Sequence, residues 1–187
     1  MRKASKSKEE ILADLTTVFR EHGFHGTTLS KLTQSTGLER ASLYHYFPKG
    51  KQDMAHAVIL GVLDSLENEV LGHLQTSLAP KNKLSKMIES LRYFYKDGGD
   101  QCFISIFSVG DINDEIAAKL KTATESWLDL LMTVFHNLGY TAPSEEAIKT
   151  LSSIQGSLVL AHITKDPSKF ISCLRTLAQS WGLPSDF

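Results

Sequence analysis

The sequence predicts an all-α chain of about nine helices. Apolar residues recur at three- and four-residue spacing along almost its whole length. Alternating strand patterns and Asn-Gly hairpin turns are absent, and capping residues punctuate the periodic runs. The first helix is expected over about 7–22. Ser7 and Glu10 form a capping box, Ile11, Leu12, Leu15, Val18 and Phe19 supply one apolar face, and Gly23 supplies a stop. Thr27-Thr28 offers an N-cap for a short helix over 28–35, carrying Leu29 and Leu32 and closed by Gly37. A second short helix follows over Glu39–Tyr46 and is broken by Pro48 and Gly50.

A long helix is expected from Lys51, through Met54, Val58, Val62, Leu66 and Val70, ending before Pro80. Further helices are expected over 82–97, 101–109, 112–138, 144–163 with Ser144 as N-cap, and from Pro167 at N1 to about Trp181. The apolar run 101–109 has a strand-like composition, but it stands among helices and is assigned as a short buried helix.

The chain has 187 residues, 42% hydrophobic and 22% charged, which suits a folded globular protein and excludes disorder over most of its length. No apolar run approaches the roughly 20 residues of a membrane span. Met1 to Lys8 is basic with no apolar segment behind it, so neither a secretory signal nor a membrane partner is expected, and the expected location is cytoplasmic. Cys102 and Cys173 lack metal-ligand spacing and are too few for a disulfide scaffold. No cofactor or metal is expected.

Net charge is −1, but it is unevenly spread. Residues 1–51 hold nine Lys/Arg against five Asp/Glu, a balance of +4, and the remainder holds eleven against sixteen, a balance of −5. A basic head on an acidic body points to a local contact surface for a polyanion.

The two short helices about a Gly turn, residues 28–47, have the form of a helix-turn-helix, whose second helix enters the major groove. Arg40 can contact phosphate or read guanine in a bidentate way, and Ala41 is small enough for close backbone approach. Ser42, Tyr44, His45 and Tyr46 can reach bases, sugars or phosphates. Leu43 and Phe47, one turn apart, are expected to face inward. Lys51 and Thr28 stand at the starts of their helices, where charge, hydroxyl and backbone amides favour a phosphate.

These residues carry a resemblance. Gly23-Phe24-His25-Gly26-Thr27-Thr28-Leu29, then Gly37-Leu38, then Ser42-Leu43-Tyr44-His45-Tyr46-Phe47 resembles the DNA-binding domain of TetR-family transcriptional regulators over roughly residues 7–60. The run Pro48-Lys49-Gly50-Lys51 is one residue longer before the lysine than in most members and is similar to the LmrA/YxaF subgroup. The resemblance assigns DNA contact to Thr28, Arg40, Ala41, Ser42, Tyr44, His45, Tyr46 and Lys51. Two departures stand out: Ala41 replaces a frequent Gly, and Glu39 stands where Ser or Thr often caps the reading helix. A carboxylate there is unfavourable near phosphate unless it pairs with Arg40 or a base amine.

The resemblance further implies a DNA-binding domain over 5–65 and a helical effector-binding and dimerisation domain over 66–187. It implies a homodimer on a pseudo-palindromic double-stranded operator, usually as a repressor released by a small-molecule effector. Phe94, Phe103, Phe107 and Trp127 are candidates to line an apolar pocket, with Gln155 or His162 as a polar orienting group. The last two helices carry Leu151, Ile154, Leu158, Leu174, Leu177 and Trp181 as candidates for a four-helix dimer interface. Ser152, Ser153, Gly156 and Ser157 would allow close helix approach.

An enzyme is not expected. The chain has no Gly-rich phosphate loop, no Gly-x-Ser-x-Gly elbow and no His-Glu-x-x-His motif. His22 and His25 bracket a helix end and do not suggest a metal site, and Asp111, Asp114 and Glu115 fit a helix N-terminal charge preference. Two alternatives to effector control stay open. One is redox control through Cys102, near an expected helix start. The other is an adaptor whose C-terminal body binds a protein partner.

Overall fold

The computed structural model describes residues 6–107 and 114–186. Asp111 and the parts of the expected helices that fall on residues 108–113 lie outside the described residues, as does residue 5. Among the described residues there is no strand. The helices are α1 (Lys8–Gly26), α2 (Leu29–Thr36), α3 (Arg40–Tyr46), α4 (Lys51–Leu66), α5 (Gly72–Gln75), α6 (Pro80–Phe94), α7 (Phe103–Phe107), α8 (Asp114–Asn137), α9 (Pro143–Thr164) and α10 (Ser168–Ser180). A π-helical turn, Glu67–Leu71, joins α4 to α5 without a break, so the expected long helix runs as one rod as far as Gln75.

Local chemistry explains most boundaries. The Ser7 hydroxyl accepts from the Glu10 amide (3.1 Å) while the Glu10 carboxylate accepts from the Ser7 amide (2.7 Å), which completes the capping box. Gly23 takes φ 66° and kinks α1, so the expected stop survives as a break before one further turn. Three expected starts shift. Proline at the first helical turn sets α6 at Pro80, ahead of residue 82, and α9 at Pro143, so Ala142 rather than Ser144 is the N-cap. At α10, Pro167 is the N-cap and not N1. There the Asp166 carboxylate accepts from the Ser168 amide (3.0 Å), and the Ser168 hydroxyl, the Lys169 ammonium and that amide together hold its pKa below the ordinary carboxylate value.

Two apolar cores form. Ile11, Leu15, Phe19, Leu32, Leu43, Phe47, Met54 and Val58 make the first, in the N-terminal head. Phe103, Phe107, Ile116 and Leu120 join it from far along the chain, so the two cores do not divide the chain at residue 65. The second core packs Leu84, Met87, Leu91, Trp127, Leu131, Ile154 and Phe170 in the C-terminal body. Among the described residues no helix is long and apolar enough to cross a membrane.

Arg20 of α1 pairs with Asp100, just before α7, and both side chains are less than one-fifth exposed. The Arg20 guanidinium also lies 4.9 Å from the centre of the Phe103 ring, and the Gln101 amide donates to the Arg20 carbonyl (3.2 Å). A pair this sheltered lies between the exposed and buried limits, so removing one partner costs about 1–3 kcal/mol. Asp100→Asn is therefore expected to lower the unfolding free energy obtained from urea titration by that amount. Combined with Arg20→Met, its cost should fall short of additive, and a purely additive double mutant would show the pair to be energetically idle.

Candidate nucleic-acid interface

The helix-turn-helix is built by two buried anchors and one left-handed turn. Leu32 and Leu43 fix α2 and α3 to the head core, with Phe47 closing α3 from below. Between them Gly37 adopts φ 67°, a region that penalises a Cβ, and its amide donates to the Thr33 carbonyl (2.9 Å). That turn swings α3 away from α2 and leaves one side of α3 uncovered. Arg40, Ala41, Tyr44, His45 and Tyr46 are exposed there, while Ser42 is half-buried. An exposed Tyr44 and Tyr46 beside a fully buried Leu43 is the pattern of a helix with one face reserved for a partner.

Tyr44 is seated. A Cβ on Gly50 would lie 3.1 Å from its ring, so Gly50, at φ 69°, provides both the turn into α4 and the space beneath the tyrosine. His45 and Tyr46 meet edge to face with ring centres 5.8 Å apart, which stiffens the two side chains against each other.

Thr28 and Lys51 have structural tasks. Thr28 is exposed and caps α2, its hydroxyl oxygen accepting from the Lys31 amide (3.3 Å) and its proton remaining available to donate. Lys51 donates to the carbonyls of Phe24 (3.0 Å) and Thr27 (3.1 Å) and sits 4.4 Å from the centre of the Phe24 ring. The expected phosphate anchor is thus first a staple between the end of α1 and the start of α4, with one of its three donors uncommitted. Sequence reasoning missed this, since spacing along a chain does not show which carbonyls fold back onto a lysine. It also missed Lys49, an exposed cation of the turn whose amide is held by the Asp53 carboxylate (2.7 Å).

The ligand and dimer candidates are placed differently from expectation. Phe94, Phe103, Phe107, Trp127, Gln155 and His162 do not converge on one cavity. Phe103 and Phe107 belong to the head core, stacked on each other at 5.6 Å. Trp127 is fully buried in the body core, Phe94 packs against that core at its edge, and His162 is exposed. Gln155 has the character of an internal polar site: both its amide atoms are buried without a hydrogen-bond partner, as is the Trp127 indole nitrogen. It lies close enough to Tyr95 to favour the phenolate, though short of hydrogen-bond geometry. Burial dominates and pushes the Tyr95 pKa well above its ordinary value. The Tyr95 hydroxyl donates to the Cys102 sulfur (3.5 Å). Cys102 itself is buried, which removes the solvent access that a redox sensor needs.

Leu151, Ile154, Leu158, Leu174, Leu177 and Trp181 are no more than 6% exposed within the single chain, so they bind α9 and α10 to their own body and are not available to a second copy. Periodicity locates an apolar stripe but does not say what covers it. α9 carries a second stripe, facing outward, of Ile148, Val159, Leu160 and Ile163.

Residues 11–58 match the bacterial regulatory proteins of the tetR family. Over those residues the chain carries a tetR-type DNA-binding domain. The HTH-type transcriptional regulator YxaF of Bacillus subtilis is 26% identical over 179 residues, covering 88% of this chain and 90% of the relative. LmrA of the same organism is 24% identical over 183 residues, covering 91% and 96%. The repressor KstR2 of Mycolicibacterium smegmatis is 33% identical over 78 residues, 42% of this chain and 38% of the relative. Among solved structures, a TetR transcriptional regulator from Legionella pneumophila superposes with a TM-score of 0.80 at 22% identity, over 96% of this chain and 99% of that one. AibR, crystallised with isovaleryl coenzyme A and operator DNA, superposes at 0.67 and 19% identity over 79% and 83%. With relatives matched over most of their length, the protein is a helix-turn-helix transcriptional regulator.

Lys51→Met is expected to lower thermal stability as well as DNA affinity, because two charge-assisted hydrogen bonds are lost at about 1–3 kcal/mol in total. An unchanged melting temperature with weakened binding would leave Lys51 only its phosphate role.

Proposed function

We propose that the protein is a ligand-responsive repressor that acts in the cytoplasm and binds a pseudo-palindromic operator as a homodimer. The observation that carries the dimer is the outward stripe of α9. Ile148 is 53% and Ile163 70% exposed, on the same side as Val159 and Leu160. Ser152 and Gly156 lie between them and are exposed. A Cβ on Gly156 would meet nothing within 4 Å, so the chain's own packing does not require glycine there. Mid-helix glycine nevertheless costs about 1 kcal/mol relative to alanine. A second α9 crossing closely at that point accounts for the glycine and covers the apolar stripe.

Effector control is supported from inside the body. The Gln155 amide, the Trp127 indole nitrogen and the Thr150 hydroxyl are buried without partners. Each such group costs about 1–3 kcal/mol when left unpaired. A ligand reaching Gln155, beside Tyr95 and Cys102, would satisfy part of that demand and bias the conformation in which it fits. The repressor KstR2 and the ligand- and DNA-bound AibR have related sequence or fold, in keeping with this reading.

The dimer is tested by Ile163→Glu together with Gly156→Leu. Both positions are exposed, so the protomer should fold normally. Light scattering at micromolar concentration should give twice the chain mass for the parent and a single chain mass for the double variant, with operator affinity falling at least tenfold. A parent that is monomeric, or a variant that still dimerises, overturns the assignment of α9.

A further inference from the structure

The helix-turn-helix contains one charge of the wrong sign for its task. Between Thr28 and Asp53 the chain carries Lys31, Arg40, Lys49 and Lys51 but just two carboxylates, Glu39 and Asp53. The Asp53 carboxylate is occupied by the Lys49 amide at 2.7 Å. Glu39 is exposed at the N-cap of α3 and makes no capping hydrogen bond. It has no ion pair or side-chain hydrogen bond to any other described residue, its neighbour Arg40 included.

Such a residue is costly twice over. A Ser, Thr, Asp or Asn at that position would cap α3, which Glu39 does not do. A free carboxylate also faces a duplex carrying one negative charge per ~1.7 Å of its axis. Nothing among the described residues offsets either cost, and once the duplex displaces the water around Glu39 the compensating donor comes from the DNA. The donors that a duplex offers a carboxylate in the major groove are the exocyclic amines of cytosine and adenine. Adenine sets its N7 acceptor beside N6, which repels a carboxylate. Cytosine presents N4 with no acceptor of its own next to it.

We infer that Glu39 is a base-reading residue, its carboxylate accepting a hydrogen bond from cytosine N4 at one position of each half-site. This rests on α3 being the reading helix in an operator-bound dimer. The carboxylate then contributes discrimination more than affinity: it repels duplexes in general and tolerates those that place a cytosine amine against it.

The test is selection of binding sites from a randomised duplex library by the full-length protein, Glu39→Gln and Glu39→Ala, with melting curves for each. The parent should enrich a symmetric motif with cytosine at one position per half-site, preferred on the order of tenfold. Glu39→Gln should shift that position toward adenine, which glutamine reads through N6 and N7, and leave the rest of the motif in place. Glu39→Ala should lose preference at that position alone and bind random duplex more tightly. Melting temperatures should be unchanged, since no capping bond is lost. Identical motifs for all three proteins, or a Glu39→Ala variant that loses the whole motif, would overturn the inference while leaving operator binding intact. A parent that enriches no motif would overturn the operator-binding reading itself, and the inference with it.

Discussion

The seat of α7 in the head is the constraint on which the rest of the arrangement depends. Phe103 and Phe107 come from the middle of the chain, yet they complete the core built by α1 and α4. The Phe107 ring lies 5.9 Å from Phe19 and 6.4 Å from Phe24. Without those rings the head would have an open apolar face, and burying two phenylalanine side chains is worth roughly 1.5–3 kcal/mol each. The Arg20–Asp100 pair then fixes the register at which α7 enters. Head and body share a core element, so neither can shift without moving α7.

The loop leading to α7 is held out of its relaxed shape. Lys96 and Asp97 both adopt left-handed backbone, at φ 48° and 54°, which costs non-glycine residues of order 1 kcal/mol each. Side-chain bonds keep it there: Arg92 Nε donates to Asp97 (2.8 Å), and Lys96 lies 3.2 Å from the Asp100 carboxylate that also holds Arg20. Tyr95 and Cys102 flank this loop, and Tyr95 is the residue beside the unsatisfied Gln155 amide. An event that displaces Tyr95 therefore acts on a strained segment whose far end is tied to α1. The route onward is short, since Lys51 binds the end of α1 to the start of α4, and Gly50 carries the Tyr44 ring.

Much of this was legible in the sequence, and what was not has a common cause. Capping boxes, prolines at first turns and three-to-four spacing are local signals, so the helices and the helix-turn-helix follow from Ser7, Gly37, Pro80 and the apolar periodicity. Leu43 and Phe47 are buried and Tyr44 is exposed because a seven-residue helix has too little surface for more than one buried face. Non-local facts were out of reach. No spacing rule tells that Phe103 packs in the head, that Lys51 turns back to Phe24 and Thr27, or that Leu151 and Leu158 are covered by their own chain. α9 is apolar on two sides, and a periodic pattern does not distinguish the stripe that meets α8 and α10 from the stripe left bare.

The distribution of cations bears on the proposed dimer. Several basic residues of the head are committed within the chain: Lys6 to Asp14, Arg20 to Asp100, Lys31 to the Gly26 carbonyl, and Lys51 to two carbonyls. In the motif itself, Arg40 and Lys49 are exposed and have no ion pair among the described residues. With Lys51 added, one protomer would neutralise on the order of two to three phosphates, and log affinity would then fall with log salt at a slope near −2 to −3. That is the range of weak, sequence-indifferent association at physiological salt. Two protomers on two half-sites double the phosphate count and let the second head bind at high effective concentration. In the proposed dimer, specificity is therefore inseparable from the α9 surface, although that surface lies in the body and not in the head.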